Sequence, residues 1–232
     1  KEFDAFKRMA YHGIGYIEDS GLDDDQILNG LKRLEKETEH LPHPVARSKA
    51  IKYVLENERI YINEHDYFVG LYSLSRLANR TTFDKWAKDS QSLRDTDTLE
   101  RSRDFNNSGA VMIWTDYDHV VPDWKSLMEL GFSGICERAR EYKRKHKENG
   151  TLNSEMTAFF EGIEIQYTAI IELIDRMYHT ALKQEFEKAP KIAECLKNLR
   201  NGAPSSFYEA LQLIYIYFII SESIDSYQVR SL

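Results

Sequence analysis

"LNSEMTAFFEGIEIQYTAIIELIDRMYHTALKQEFEKA", residues 152–189, decides how the chain is read. It contains no proline and one interior glycine, Gly162. Its apolar positions return every three to four residues: Met156, Phe159/Phe160, Ile163, Tyr167, Ile170/Ile171, Ile174, Met177/Tyr178 and Ala181. That period predicts one long helix of about eight to ten turns, with those residues forming its buried seam.

Toward the C-terminus, the spacing predicts a helix over 190–200, then a break at "NGAP". A further helix follows in "SSFYEALQLIYIYFIISES". Ser206 and Glu209 are placed to form a capping box, hydroxyl and carboxylate each satisfying an orphan amide of the first turn. Beyond the cap this helix is apolar on nearly every side, so it must be buried on most of them, in surroundings larger than this chain comfortably supplies. Its apolar run, 211–220, falls short of the roughly 20 residues a bilayer crossing needs.

Toward the N-terminus, 122–130 and "SGICERAREYKRKHKEN" read as successive helices, with Gly150 as the stop. "AVMIW" (110–114) is β-branched and aromatic and reads as a buried strand. Residues 76–109 are polar and weakly patterned, loop with a short helix. "IYINEHDYFVGLYSL" holds a short strand or extended piece that meets Gly70. Residues 43–59 form a helix with Pro44 in its first turn and Val45, Ile51, Val54 and Leu55 inward. "DDDQILNGLKRLEKETEHL" forms another, its acids at the positive end of the helix dipole. Residues 1–19 carry Phe3, Phe6, Met9, Ala10 and Ile14 at helical spacing.

The chain therefore reads as mainly α, one domain over 1–232. Hydrophobic residues make up 42% and charged residues 30%, a globular rather than a disordered balance. The net charge of −7 disfavours nucleic acid as a partner. Cys136 and Cys195 stand alone, with no zinc or disulfide pattern, and a reducing cytoplasm is the expected setting. No signal peptide opens the chain, which starts at Lys1 and ends in "QVRSL", so both ends read as cut.

Few motifs in the chain carry chemistry. Cys136 and Cys195 lie on amphipathic helices and read as packing groups. "HLPH" (His40, His43) has a metal-like gap but no third ligand nearby, and reads as a loop. "NEHD" (63–66) reads as a polar turn. The basic run 138–147 is interleaved with Glu137, Glu141 and Glu148 and reads as a solvated face. No Walker loop, GxGxxG or GxSxG is present. His119, in "TDYDHVVPDWKSLMELG" (115–131), is the remaining candidate. It follows the expected strand and precedes a helix start, where loops deliver side chains into pockets. Asp116 or Asp118 can orient it. On these grounds alone a half-buried loop histidine bonded to backbone is the favoured reading.

Four stretches, in order, resemble a known family. "HPVARSKAIKYVLENERIYINEHDYFVG" is similar to the opening segment of the glycyl radical enzymes, the pyruvate formate-lyase-like family. The similarity is carried by Arg47, Ala50, Ile60, Ile62, Asp66, Val69 and Gly70. "DHVVPDWKSLMELGFSGICERARE" resembles the family's "GH-hydrophobic-x-PDYEKVLxxGLxGI". "APSSFYEALQ" resembles its "PPxTFxEALQ", and "YQVRSL" the lead into its "SLG-x-x-D". The resemblance runs from about residue 40 to 232. The family's Gly-Cys-Val-Glu-type cysteine loop and Arg-Val-Ser/Ala-Gly-Tyr-type glycine loop do not occur in this sequence.

The resemblance implies the N-terminal portion of a longer enzyme: outer helices and a first strand, near 110–116, of a helix-wrapped α/β barrel. It implies no bound cofactor. A separate radical-SAM activating enzyme would install a glycyl radical, which passes to a cysteine, and the thiyl abstracts a substrate hydrogen in a closed site. Thiyl cysteine and radical glycine are expected downstream, so no catalytic residue lies in this chain and it would be inactive alone. Anaerobic life, a homodimer and a small-molecule substrate are implied with it.

Where members that bind a carboxylate carry Arg, and dehydratase-type members a His that bonds a substrate hydroxyl, this chain has His119. That favours a dehydratase or C–X lyase and a small hydroxylated substrate. Asp118 departs from the family's small residue. Ser231 maps to the family's Ser-Leu at the substrate, and Arg230 stands where many members have a small or apolar residue. His119, Arg230 and Ser231 are thus the expected substrate-binding set, with no metal. The competing expectation is a stand-alone helical interaction domain without catalytic activity.

Overall fold

A computed structural model describes residues 16–17, 21–71, 96–109 and 122–224. In chain order the elements are β1 (Tyr16–Ile17), α1 (Asp24–Glu37), α2 (His43–Asn57), β2 (Ile60–Ile62), β3 (Gly70–Leu71) and α3 (Thr96–Asn107). Then come α4 (Trp124–Glu148), α5 (Ser154–Leu182), α6 (Ala189–Asn201) and α7 (Phe207–Ile224). The described residues are mainly helical, as the periodicity predicts. The expected strand at 110–114 lies outside them, as do residues 1–15.

The long helix is present but shorter than expected, ending at Leu182. Gln184 Nε2 donates to Thr180 O at 3.0 Å, closing the last turn. Pro190 then sits in the first turn of α6. A continuous helix would press its ring on the carbonyl of residue 186 and lose an amide donor, so a new helix begins instead.

Helix α5 is the centre of the bundle, packed against α2, α4 and α6. Its C-terminal half buries Ile170, Ile174, Met177 and Ala181 as the seam predicts, and Leu173, outside the seam, with them. Its N-terminal half does not follow the seam: Phe159 is exposed, and Ala158 and Gly162 are buried in its place. The reason is close approach. A Cβ on Gly162 would stand 2.8 Å from Pro44 O, so only a bare backbone lets α5 cross the start of α2. Lys52 and Glu172 pair across the same interface at 3.1 Å, an exposed contact of small weight.

Around α5 one core gathers Ile27 and Leu31 of α1, Ile51, Val54 and Leu55 of α2, Phe132 of α4 and Leu196 of α6. Each such side chain contributes about 1.5–3 kcal/mol by leaving water. The three strands form an antiparallel sheet in the order β1-β2-β3, Tyr16 opposite Ile62 and Ile60 opposite Leu71. Tyr16 and Ile17 are thus extended, although the spacing over 1–19 is helical. Pairing with the buried Ile60–Ile62 decides their state.

The helix starts are built by side chains. Asp23 caps α1 through Gln26 N at 2.8 Å, and Gln26 returns the bond to Asp23 N at 3.0 Å. Asp123 caps α4 through Ser126 N at 3.0 Å. At the start of α7, Ser206 Oγ accepts from Glu209 N as expected. The Glu209 carboxylate also takes the amide of Ser205, beside the backbone of Ser206.

Candidate functional site

The stretches that stood out in sequence come together at one junction. The α4 range holds two helical pieces separated by Gly131, at φ 64 and ψ −178. A Cβ there would run into the carbonyl of Gly202, in the loop between α6 and α7. Both the positive φ and the contact require glycine. From that loop the chain enters α7 through Glu209, only 6% exposed. Its carboxylate accepts from Asn198 Nδ2 at 2.9 Å, Ser205 N at 2.6 Å and Ser205 Oγ at 2.8 Å. Burial works against its charge, but these donors outweigh it and hold the carboxyl below its ordinary range. Glu209 is therefore an ionised hub that ties α6, the loop and α7 together.

One face of α7 grips residues 67–70. Gln212 is fully buried, accepting from Val69 N at 3.2 Å and donating to Val69 O at 3.5 Å, as a neighbouring strand would. Tyr208 donates to Tyr67 O. Phe68 stacks against Tyr208 and Tyr215, with ring centroids 5.6 and 5.7 Å away. Tyr208, Gln212 and Tyr215 are spaced i, i+4, i+7, one helical face. The residues of "DYFVG", "MELG" and "FYEALQ" thus do structural work: they fix the sheet and α4 to α7.

His119, Arg230 and Ser231 lie outside the described residues. Their described flanks meet. Trp124, five residues after His119, packs on Tyr217 and Phe218 with ring centroids 5.4 and 5.9 Å away. Those two residues stand near the end of α7, which leads on to Arg230.

The remaining sequence candidates resolve as packing or surface. Cys136 and Cys195 are buried, and burial pushes both thiols up, Cys195 to about 12. Neither is poised as a thiolate. His43 opens α2 rather than lying in a loop. In "NEHD", Asn63 N donates to Asp66 Oδ2 at 3.1 Å and His65 N to Asn63 Oδ1 at 2.7 Å, a side-chain-closed turn. The basic run is ion-paired: Arg140 with Glu137 and Glu164, Arg144 with Glu148, Lys145 with Glu141. No helix among the described residues is long and apolar enough to cross a membrane. Nor do the described residues contain a group of three His, Cys, Asp or Glu able to hold a metal.

A second feature escaped the sequence reading. Glu58, just past α2, is 1% exposed, with the Ser223 hydroxyl of α7 beside its carboxylate. Burial pushes its carboxyl up to about 8. Arg176, of α5, spends its fork on the end of α2, donating to the carbonyls of Leu55, Glu56 and Glu58 at 2.7, 3.1 and 2.8 Å.

Comparison with known proteins places this architecture. The sequence matches the model of the pyruvate formate lyase-like family over residues 78–231, about two-thirds of the chain. The fold is similar to that of a glycyl radical enzyme from Archaeoglobus fulgidus, with TM-score 0.65 and 19% identity over 97% of this chain and 34% of that one. It is also similar to the glycerol-bound form of the B12-independent glycerol dehydratase from Clostridium butyricum, with TM-score 0.56 and 21% identity over 86% of this chain and 33% of that one. The chain thus spans about a third of the length of these solved structures. No curated protein matches it. The chain belongs to the pyruvate formate lyase-like family of glycyl radical enzymes.

Proposed function

We propose that this chain is the N-terminal portion of a glycyl radical dehydratase or C–X bond lyase acting on a small hydroxylated substrate. The observation that carries this reading is His119 in a family match that runs from residue 78 to 231. In dehydratase-type members a histidine stands at the matching position, and a glycerol dehydratase shares the fold. An imidazole suits a hydroxyl because it can donate to, or accept from, a neutral oxygen and can pass a proton to a leaving hydroxide as water. An Arg there would suit a carboxylate instead.

The contact of Trp124 with Tyr217 and Phe218 supports a shared pocket. It joins the described ends from which the chain leads to His119 and to Arg230–Ser231. His119 lies five residues from Trp124, at most about 18 Å of chain, and Arg230 lies six residues past the end of α7, at most about 22 Å, spans that allow one cavity. In this reading the helices α4–α7 form part of the shell of an α/β barrel. The thiyl cysteine and radical glycine come from further polypeptide, and the glycyl radical is installed by a radical-SAM activating enzyme in an anaerobic cytoplasm. The working form is a homodimer, and the 232-residue chain alone is inactive. Arg230 contributes positive charge near the substrate and Ser231 a hydroxyl.

The test is His119→Ala in the intact radical enzyme, supplied with a vicinal diol. Turnover is expected to fall at least 100-fold while the glycyl radical signal in electron paramagnetic resonance stays at the wild-type level. Undiminished turnover would overturn the assignment.

A further inference from the structure

Glu58 joins the end of α2 to the end of α7. Its backbone is fixed on both sides: Glu58 N donates to Val54 O at 2.9 Å, and Glu58 O accepts from Arg176 Nη2 at 2.8 Å. From that anchor its carboxyl meets the hydroxyl of Ser223, the next-to-last residue of α7. Both carboxylate oxygens and Ser223 Oγ are shut off from water, so each group serves as the other's polar partner. Ile219, Ile220 and Ile224 are buried around the same turn, contacts that are indifferent to pH.

The pair is not indifferent. As the neutral acid, Glu58 donates its proton to Ser223 Oγ, and a dry site tolerates two neutral groups. As a carboxylate it would be a buried charge facing one hydroxyl donor. The charged groups around it do not make up the difference. Arg176 of α5 spends its guanidinium on the carbonyls of Leu55, Glu56 and Glu58. Asp24 of α1 adds a like charge. Asp23 is committed to capping α1, and Arg59 Nε donates to Gly21 O at 3.2 Å. An ionised side chain gains water by turning into the cavity that Glu58 lines with Asp23, Asp24, Asp25 and Arg59, and that turn takes it away from Ser223.

We infer that the Glu58–Ser223 pair is a proton-controlled latch: closed while the carboxyl is neutral, it fixes the last turn of α7 to the end of α2, and ionisation frees that turn. In the function proposed above, the turn leads within six residues to Arg230, so the latch positions the start of the substrate-binding end. That consequence rests on the proposed function; the latch itself does not. Burial holds the closed acid neutral up to about pH 8, and opening returns it toward its ordinary 4.5. Between those values each opening releases one proton to solvent, so the turn loosens as pH rises.

The test is hydrogen exchange of the 232-residue chain, followed by NMR at the amides of residues 221–224 and, as reference, at Leu173 and Ile174 of α5, with intrinsic exchange rates divided out. The opening constant of the α7 turn should rise about a hundredfold from pH 5.5 to pH 7.5, tenfold per pH unit for one proton. It should stay level in Glu58→Gln, whose side chain is neutral at every pH. At pH 7.5 the turn should open at least tenfold more often than the α5 amides, because it is freed without the core. Ser223→Ala should open the turn at least threefold more at pH 5.5. Melting curves check that both variants fold, and the wild-type profile against α5 tests the latch without either. A turn whose opening ignores pH, follows it equally in folded Glu58→Gln, matches the α5 amides at every pH, or is unmoved in folded Ser223→Ala would overturn the inference.

Discussion

Glu58 makes stability fall where most proteins hold steady. Its carboxyl titrates at about 8 in the fold and at 4.5, its ordinary value, once unfolded. Between those values the folded chain binds a proton that the unfolded chain has released, so stability decreases as pH rises. Below pH 4.5 both states are protonated and nothing is lost. Above pH 8 the loss is complete. The gap of 3.5 pH units, 8 minus 4.5, corresponds to about 5 kcal/mol at 1.36 kcal/mol per unit. Desolvation is the main cause. Ser223 and Arg176 offset it, and Asp24 adds to it.

The assay is urea denaturation of wild type and Glu58→Gln from pH 5 to pH 9. Gln keeps the shape without a titrating proton. The other titrating groups are shared, so subtracting the two curves isolates Glu58. The variants should have nearly equal stability at pH 5, and Glu58→Gln should lead by several kcal/mol at pH 9. A flat difference curve, or a wild type that gains on the variant as pH rises, would refute the reasoning.

Three further substitutions probe the frame. Gly131→Ala places a Cβ against the Gly202 carbonyl in a positive-φ backbone and should cost about 2–4 kcal/mol in urea denaturation. Gln212→Leu leaves Val69 N–H and C=O without their partner and should cost about 2–4 kcal/mol, with faster hydrogen exchange at the Val69 amide. Arg176→Met should cost about 2–3 kcal/mol by uncovering three carbonyls at the end of α2. It also removes a charge that holds Glu58 down, so the pH-dependent loss should extend to higher pH.

The helices were legible because their signals are local. The 3.6-residue period located α5, and Gly131 divides α4 where the two helical patterns part. Asp23 and Ser206 announced two helix starts. The contacts that fix one element to another were not legible, because they depend on distant partners, Gln212 with Val69 and Arg176 with Leu55 being more than a hundred residues apart. Gln212 sits inside the apolar run 211–220, and a lone amide there was a signal that it met backbone. Arg176, inside the apolar seam of α5, was a similar signal. Glu58 gave none: "LENERI" looks like a polar helix end until α1 and α7 close over it. The buried face of α5 switched to Ala158 and Gly162 because α2 crosses too closely for Phe159. Helix α7 is covered less than its composition predicts, with Phe207 80% exposed, because the described bundle meets only part of its circumference. For His119, local pattern left the role open, and the proposal made for it rests on the family resemblance.

The central claim is that His119 meets a substrate hydroxyl in a cavity shared with Arg230 and Ser231. The most direct measurement is a crystal structure of the intact enzyme with a vicinal diol bound. The account predicts a ring nitrogen of His119 about 2.6–3.2 Å from a substrate oxygen, with Arg230 and Ser231 lining the same closed cavity. An imidazole in bulk water, or a bound diol that touches none of the three, would contradict it.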